Sequence, residues 1–124
     1  MTTKQAVSEF SVKMTTMTFI PGPAGSVIIQ ANFEGTASGF GIVCGTMNGC
    51  PVGSPSGTFE SCMASFPEEG NGITGAGRGT FSRSGTNRWH MEGPLQLSDG
   101  RALHGDGEID LASRVWSGKL YAAD

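Results

Sequence analysis

Twenty of the 124 residues are glycine, and they are spread through the apolar stretches of the chain instead of being gathered in one linker. Glycine inside a helix costs roughly 1 kcal/mol relative to alanine, so long helices are disfavoured. No stretch has apolar residues at the three-and-four spacing of an amphipathic helix. Apolar and polar residues alternate instead, interrupted by Gly, Pro, Asn and Asp at turn spacing. The sequence therefore predicts an all-β fold with at most one short helical turn.

The C-terminal half shows the alternation most clearly. The odd-numbered positions from Ile73 to Leu111 are mostly apolar or glycine, and so are the even-numbered positions from Trp116 to Leu120. The intervening positions are mostly polar or charged. Because successive side chains of a strand point to opposite faces, this half predicts a four-stranded meander with one apolar and one polar face.

The N-terminal half predicts four more strands. The apolar positions alternate up to Met14 and then change parity at Met17. One extra residue near positions 15 and 16 would restore a common face, so a β-bulge is predicted there. The next three strands are predicted at about residues 27–34, 37–46 and 58–66, with the longest loop at 47–57.

Eight strands with short connections predict one antiparallel up-and-down β-barrel, which forms a single domain over residues 1–124. Closure removes the exposed edge strands that invite aggregation, and glycines supply the bends that a small barrel needs. A β-sandwich is the alternative.

Charge excludes several partners. Charged residues make up 15% of the chain, the formal net charge is −3, and lysines and arginines are scattered singly. A nucleic-acid-binding protein would show a basic stripe, so nucleic acid is not expected as a partner. No apolar run approaches the roughly 18 residues of a membrane-spanning helix, and the N-terminus shows no secretory signal. A cytoplasmic protein without a membrane partner is therefore predicted.

The cysteines do not predict a metal centre. Cys44, Cys50 and Cys62 include no C-x-x-C pair, and their odd number without a secretory signal indicates reduced thiols. A structural zinc site usually has four ligands at short paired spacings. No metal and no other cofactor is therefore expected.

The apolar face predicts an interior binding site. Inward-facing Gly75, Gly77 and Gly79 would leave volume unfilled, and an eight-stranded barrel is just wide enough to hold one small ligand. Alternatively, these glycines only permit strong coiling and close packing of neighbouring strands. The large apolar side chains predicted to contact a ligand are Phe33, Phe81, Trp89, Met91 and Trp116.

The polar face is the second candidate site. A three-residue loop at 98–100 would place Glu92 opposite Asp106, and a tight turn at 112–113 would place Tyr121 beside His104. Imidazoles among carboxylates can act in acid–base chemistry. The candidate catalytic residues, provided that this face lines the pocket, are His90, His104, Glu108 and Tyr121. No third nitrogen or thiolate ligand is placed nearby, so a metal site is not predicted.

The two faces cannot both line the interior, because adjacent side chains point in opposite directions. Counting apolar residues places the Trp89 face inside and the histidines outside. If the histidines lay inside, the tryptophan face would need burial against another subunit, which would make the protein an obligate oligomer.

The predicted meander, with its inward glycines and with Trp89 and Trp116 on the apolar face, resembles small eight-stranded barrels of the lipocalin and allene-oxide-cyclase type. The lipocalin Gly-x-Trp signature is absent, since the tryptophans follow Thr-Asn-Arg and Ser-Arg-Val. The resemblance therefore concerns architecture, and it implies a small apolar ligand without assigning any residue a role.

Three functions are compatible with these patterns. The first is binding of one small, largely apolar organic molecule inside the barrel, where confinement would support a cofactor-independent cyclase or isomerase. The second is a non-catalytic carrier or sensor with the same cavity. The third is a structural or oligomerisation module with a solid core, for which a homo-oligomer is the expected partner.

Overall fold

The computed structural model describes residues 5–123, which form one closed barrel of eight antiparallel strands in sequential order. The strand β8 pairs with β1, so every strand has two neighbours. The prediction of an up-and-down barrel is thereby confirmed, and the sandwich alternative is wrong. The strands are β1 (Ser8–Pro21), β2 (Val27–Ala37), β3 (Gly41–Gly49), β4 (Ser56–Phe66), β5 (Ile73–Gly85), β6 (Arg88–Leu97), β7 (Ala102–Asp110) and β8 (Val115–Ala122).

Helical structure within residues 5–123 is limited to the 3₁₀ turn Pro23–Gly25 between β1 and β2. The prediction of a single short turn is confirmed. In the described part of the chain, no helix combines the length and the apolar character that crossing a membrane would require.

The inner face follows the predicted alternation in β5 to β8. Odd-numbered residues of β5 to β7 and even-numbered residues of β8 contribute to the buried core. The C-terminal half supplies Phe81, Met91, Leu97, Leu103, Ile109 and Leu120 to this core, and the N-terminal half supplies mainly Val12, Met14, Ala31, Phe33, Val43, Met47 and Phe59.

The predicted bulge in β1 is confirmed. Met14 pairs with Phe33, and the next pair is Thr16 with Asn32, so Thr15 is the extra residue. Beyond the bulge Met17 packs against the core, as the change of parity requires.

The predicted registers of the C-terminal hairpins are also confirmed. Glu92 lies opposite Asp106 in β6 and β7, and Tyr121 lies opposite His104 in β7 and β8. Turn length fixes these registers because each added residue would shift the pairing and reverse the faces.

The N-terminal boundaries differ from the prediction. The strand expected at 37–46 begins only at Gly41, because Gly39 and Gly41 adopt positive φ angles of 80° and 76° and form a turn around Phe40. Phe40 is apolar and is buried at the end of the barrel, so in the sequence it has the same pattern as an inward-facing strand residue. The longest loop also shrinks from 47–57 to 50–55, because β3 continues to Gly49 and β4 begins at Ser56.

Four of the seven hairpins, β1–β2, β3–β4, β5–β6 and β7–β8, contain glycines at which the two backbones approach closely. An added Cβ would overlap the neighbouring strand's main chain at Gly35 in β2, Gly45 in β3, Gly79 and Gly93 in β5 and β6, and Gly107 and Gly118 in β7 and β8. Close approach at such positions permits the strong coiling that a small closed barrel needs. The close-packing interpretation of inner-face glycines is therefore correct at these positions.

The two ends of the barrel differ. We call the end with loops 22–26, 50–55, 86–87 and 111–114 the upper end, and the opposite one the lower end. Side chains of Phe40, Leu97 and Leu103 fill the lower end. The Arg101 guanidinium lies 4.8 Å from the centre of the Phe40 ring and covers it from outside.

Candidate functional site

The larger interior space lies at the upper end and is called the upper chamber. Its volume is about 150 Å³. No ionisable side chain is among the described residues that line it. The wall consists mainly of Met17, Ile29, Met47, Phe81, Trp89 and Ile109, with Pro51 and Val52 contributed by loop 50–55. The chamber is therefore an apolar space beneath a loop.

A second space, the lower chamber, has a volume of about 80 Å³ and lies deeper in the barrel. Its apolar wall includes Phe10, Phe33, Leu95, Trp116 and Leu120, and Ser61 brings a hydroxyl to it. Arg78, Glu92 and Asp106 border this chamber, but strand alternation directs their side chains to the outer face. Phe59 and Met91 line both chambers and form the partition between them.

The three glycines predicted to leave unfilled interior volume differ in what surrounds them. Gly77 borders the lower chamber, where an added Cβ would lie 3.0 Å from the Ser61 hydroxyl oxygen. At Gly75 a Cβ would lie 2.9 Å from Leu97, and at Gly79 it would overlap the carbonyl oxygen of Glu92. The interpretation of Gly75 and Gly79 as open volume is therefore wrong, because neighbouring atoms already occupy that space.

All five residues predicted to contact a ligand lie on the inner face. Phe33 and Trp116 line the lower chamber, Phe81 and Trp89 line the upper chamber, and Met91 lines both. The structure thus brings them to the interior, and their contact with a ligand stays a prediction.

Other lining residues were not predicted from the sequence, notably Phe59 of the partition and Gly49 of the upper chamber. The parity of β4 offered a signal for Phe59, since Phe59, Ser61 and Met63 share one face. No sequence signal showed that β3 reaches Gly49, because the stretch beyond Thr46 is rich in turn residues.

Two indole nitrogens lie in the interior without a hydrogen-bond acceptor. The Nε1 atoms of Trp89 and Trp116 are both buried and have no partner among the described residues. The rings of Phe10, Phe33 and Phe59 surround Trp116 in edge-to-face geometry, with centroid distances of 5.6, 5.4 and 6.1 Å. Within residues 5–123, no comparable aromatic contact is made by Trp89.

Part of the rim of the upper end is apolar. Phe19 at the end of β1 and Val52 in loop 50–55 are each 61% exposed, and Ile20 is also exposed. An apolar molecule that reaches the upper chamber past these three side chains would contact hydrocarbon there. The geometry of this end therefore suits an uncharged, poorly hydrated molecule.

The histidine face lies on the outside of the barrel. His90 Nε2 lies 2.6 Å from Asp106 Oδ1, and these side chains are 42% and 46% exposed. Glu108 accepts a hydrogen bond from the Ser84 hydroxyl at 3.0 Å. The catalytic assignment of His90, His104, Glu108 and Tyr121 depended on this face lining the pocket, and that condition is not met. The apolar face fills the interior because its burial is more favourable.

Three residues of this outer face could hold a divalent cation. His90, Glu92 and Asp106 each offer one ligand atom, and these atoms lie within 4.8 Å of one another. His104 Nε2 lies 3.8 Å from Glu92 Oε2. The same contacts also account for the cluster as exposed ion pairs, which require no metal. The expectation of no metal stays a prediction.

The lower end carries one perturbed carboxyl group. The Arg101 guanidinium, whose Nη2 lies 2.7 Å from Asp99 Oδ2, lowers the pKa of Asp99 below its ordinary value of 3.8. The backbone N–H of Arg101 also donates to Asp99 and lowers the pKa further. These contacts order the β6–β7 turn and lie at the end of the barrel opposite the upper chamber.

Comparison with known proteins found no match to this chain among protein-family models, curated proteins or solved structures.

Proposed function

We propose that the barrel binds one small, largely apolar organic molecule in its upper chamber. The observation that supports this proposal is a space of about 150 Å³ with an apolar wall and with exposed apolar side chains at the same end of the barrel. An unfilled space of this size costs on the order of 3–4 kcal/mol relative to a filled core. A ligand that occupied the space would recover contacts that the wall otherwise lacks.

The size of the chamber limits the ligand. A dry apolar cavity of roughly 150 Å³ accommodates one benzene molecule, whereas drug-sized ligands occupy pockets of roughly 300–1,000 Å³. The bound molecule is therefore close to a single six-membered ring in size. Movement of Met91, which separates the chambers, would admit a longer molecule because methionine has three rotatable side-chain bonds.

Binding is proposed without catalysis. No ionisable group lines the upper chamber among the residues described, so proton transfer to the bound molecule has no apparent participant. A carrier or sensor of apolar molecules needs no such group. The cyclase or isomerase hypothesis would have to depend on confinement alone, and no specific observation favours it over binding.

The test is titration calorimetry with ring-sized molecules such as toluene. We expect saturable binding of one molecule per chain, and replacement of Gly49 by valine should abolish it. A Cβ at Gly49 would lie at ordinary contact distance, 3.6 Å from Phe59 and 3.8 Å from the Thr58 carbonyl, so a side chain can begin there without overlapping the backbone and would take up part of the chamber.

The matched control is Gly105→Ala, which adds a methyl group to the lower chamber only. It should bind toluene like the wild type. Absence of binding to the wild-type protein, or equal binding by Gly49→Val, would contradict the proposal.

A further inference from the structure

We propose that the outer face of the barrel carries a zinc site, in which His90 and Glu92 of β6 and Asp106 of β7 bind one ion. The site lies outside the barrel and is independent of the upper chamber and of the function proposed for it. Pairing of two strands, and not spacing along the chain, brings the three ligands together. A bound zinc ion would contradict the expectation, drawn from the sequence, that no metal is present.

The three ligand atoms already lie close together. His90 Nε2 is 2.6 Å from Asp106 Oδ1, and one atom from each of the three residues lies within 4.8 Å of the other two. In a tetrahedral zinc site with bonds of about 2.0–2.2 Å, neighbouring ligand atoms are roughly 3.3–3.6 Å apart. All three side chains are more than two fifths exposed, so small rotations can bring their atoms to that spacing.

The register of β6 and β7 explains why these atoms converge. Glu92 lies directly opposite Asp106, and His90 lies two residues before Glu92 on the same face. Directly opposite residues have Cβ atoms about 4.5–5.5 Å apart, and diagonal neighbours are within reach of long or aromatic side chains. Both strands are paired on both sides in the closed barrel. Ligands on such strands are held more precisely than ligands on loops.

The charges around the two carboxylates also favour a cation. Like charges directly opposite each other destabilise a sheet. Lys119 lies opposite Asp106 on β8, but its Nζ is 3.8 Å from Glu9 Oε1 on β1. Within residues 5–123, Glu92 and Asp106 form salt bridges only with histidines. A histidine offsets negative charge only while it is protonated, whereas a divalent ion always does so.

The donor atoms select the kind of ion. Magnesium and calcium are bound almost entirely by oxygen, whereas imidazole nitrogen suits zinc and related transition metals. Zinc accepts histidine and carboxylate ligands, and its open sites combine three protein ligands with one water molecule. The cluster offers one imidazole and two carboxylates on a face that water reaches. This donor set therefore fits an open zinc site.

The test is titration calorimetry of the untagged, reduced protein with zinc chloride. We expect saturable binding of one zinc ion per chain, and Glu92→Gln should bind zinc roughly tenfold or more weakly, because the amide replaces a charged ligand. The matched control is Glu34→Gln, which removes the same charge from β2, on the opposite side of the ring of strands. It should bind zinc like the wild type. Zinc binding that Glu92→Gln keeps and Cys62→Ser loses would assign the ion to a thiol and overturn the proposal.

A second measurement needs no variant. His90 is one of two histidines in the chain, so its ring resonances can be followed by NMR. One equivalent of zinc should shift these resonances to saturation, and the same amount of magnesium should leave them in place. Absence of zinc binding, or zinc binding without a change at His90, would show that the proposed site is wrong. Neither result would affect the proposed function, because toluene binding reports on the upper chamber.

Discussion

At the scale of single residues, the inner-face glycines are of two kinds. At some, the missing side chain lets two backbones approach closely, and at others it leaves space. A Cβ at Gly79 would overlap the Glu92 carbonyl oxygen, whereas at Gly105 it would make ordinary contact with Leu120 at 3.4 Å. We predict that Gly79→Ala lowers the free energy of unfolding by about 2 kcal/mol or more, because the backbone must move. Gly105→Ala should be neutral or stabilising by about 0.4–1 kcal/mol, because alanine restricts the unfolded chain. Urea denaturation compares the two, and equal losses would show that Gly105 also serves close packing.

The histidines provide a second prediction at this scale. His90 and Asp106 form a pair whose side chains are more than two fifths exposed. Exposed pairs contribute about 0–1 kcal/mol, so His90→Gln should change stability by no more than this amount. It should also leave toluene affinity unchanged, because the side chain lies outside the barrel. Loss of binding in calorimetry would mean that the outer face takes part in the function.

At the scale of strands and turns, alternation and turn length were sufficient to predict the C-terminal half. They placed Glu92 opposite Asp106 and Tyr121 beside His104, as the structure has them. The turn at 38–40 was missed because Phe40 is apolar and buried like a strand residue, although it lies between two glycines with positive φ angles. Local patterns report which residues are buried, but a loop residue can be buried when it closes one end of a barrel.

The candidate site was only partly predictable for a related reason. Parity placed Trp89 on the inner face, but the absence of an acceptor for its N–H depends on residues from several strands. Similarly, Gly75 and Gly77 lie two residues apart in one strand, yet only Gly77 borders a chamber. Such differences arise from the coiling of the sheet, which a single sequence does not specify.

The bulge in β1 leads to a prediction for a whole element. Thr15 is the extra residue that allows Val12, Met14 and Met17 to share the inner face. Deletion of Thr15 should reverse the parity of the strand beyond it and expose Met17, at a cost of about 1.5–3 kcal/mol or more. Thermal unfolding measures the loss, with Thr15→Ser as the control that keeps the chain length. A deletion variant as stable as the wild type would show that the hairpin can re-register without penalty.

At the scale of the whole molecule, closure of the barrel and the presence of the chambers have a common origin. The glycines that let neighbouring strands approach closely lie in four of the seven hairpins, and they let eight strands form a ring of small circumference. The same ring must then be filled from inside by a limited number of side chains. The lower end is filled by Phe40, Leu97 and Leu103, and the upper end is left with a space under loop 50–55.

Because the lower end is filled and the upper end keeps a space, we expect a ligand to stabilise the whole molecule by occupying the upper end. A molecule that binds only the folded chain at one hundred times its dissociation constant stabilises it by about 2.7 kcal/mol, which for a chain of this size raises the unfolding temperature by several degrees. Calorimetric unfolding with toluene should show this increase for the wild type and for Gly105→Ala, and no increase for Gly49→Val. An equal increase in all three proteins would show that toluene acts at a place other than the upper chamber. A rise confined to the proteins with an open upper chamber would mean that this end of the barrel gains stability when its space is occupied.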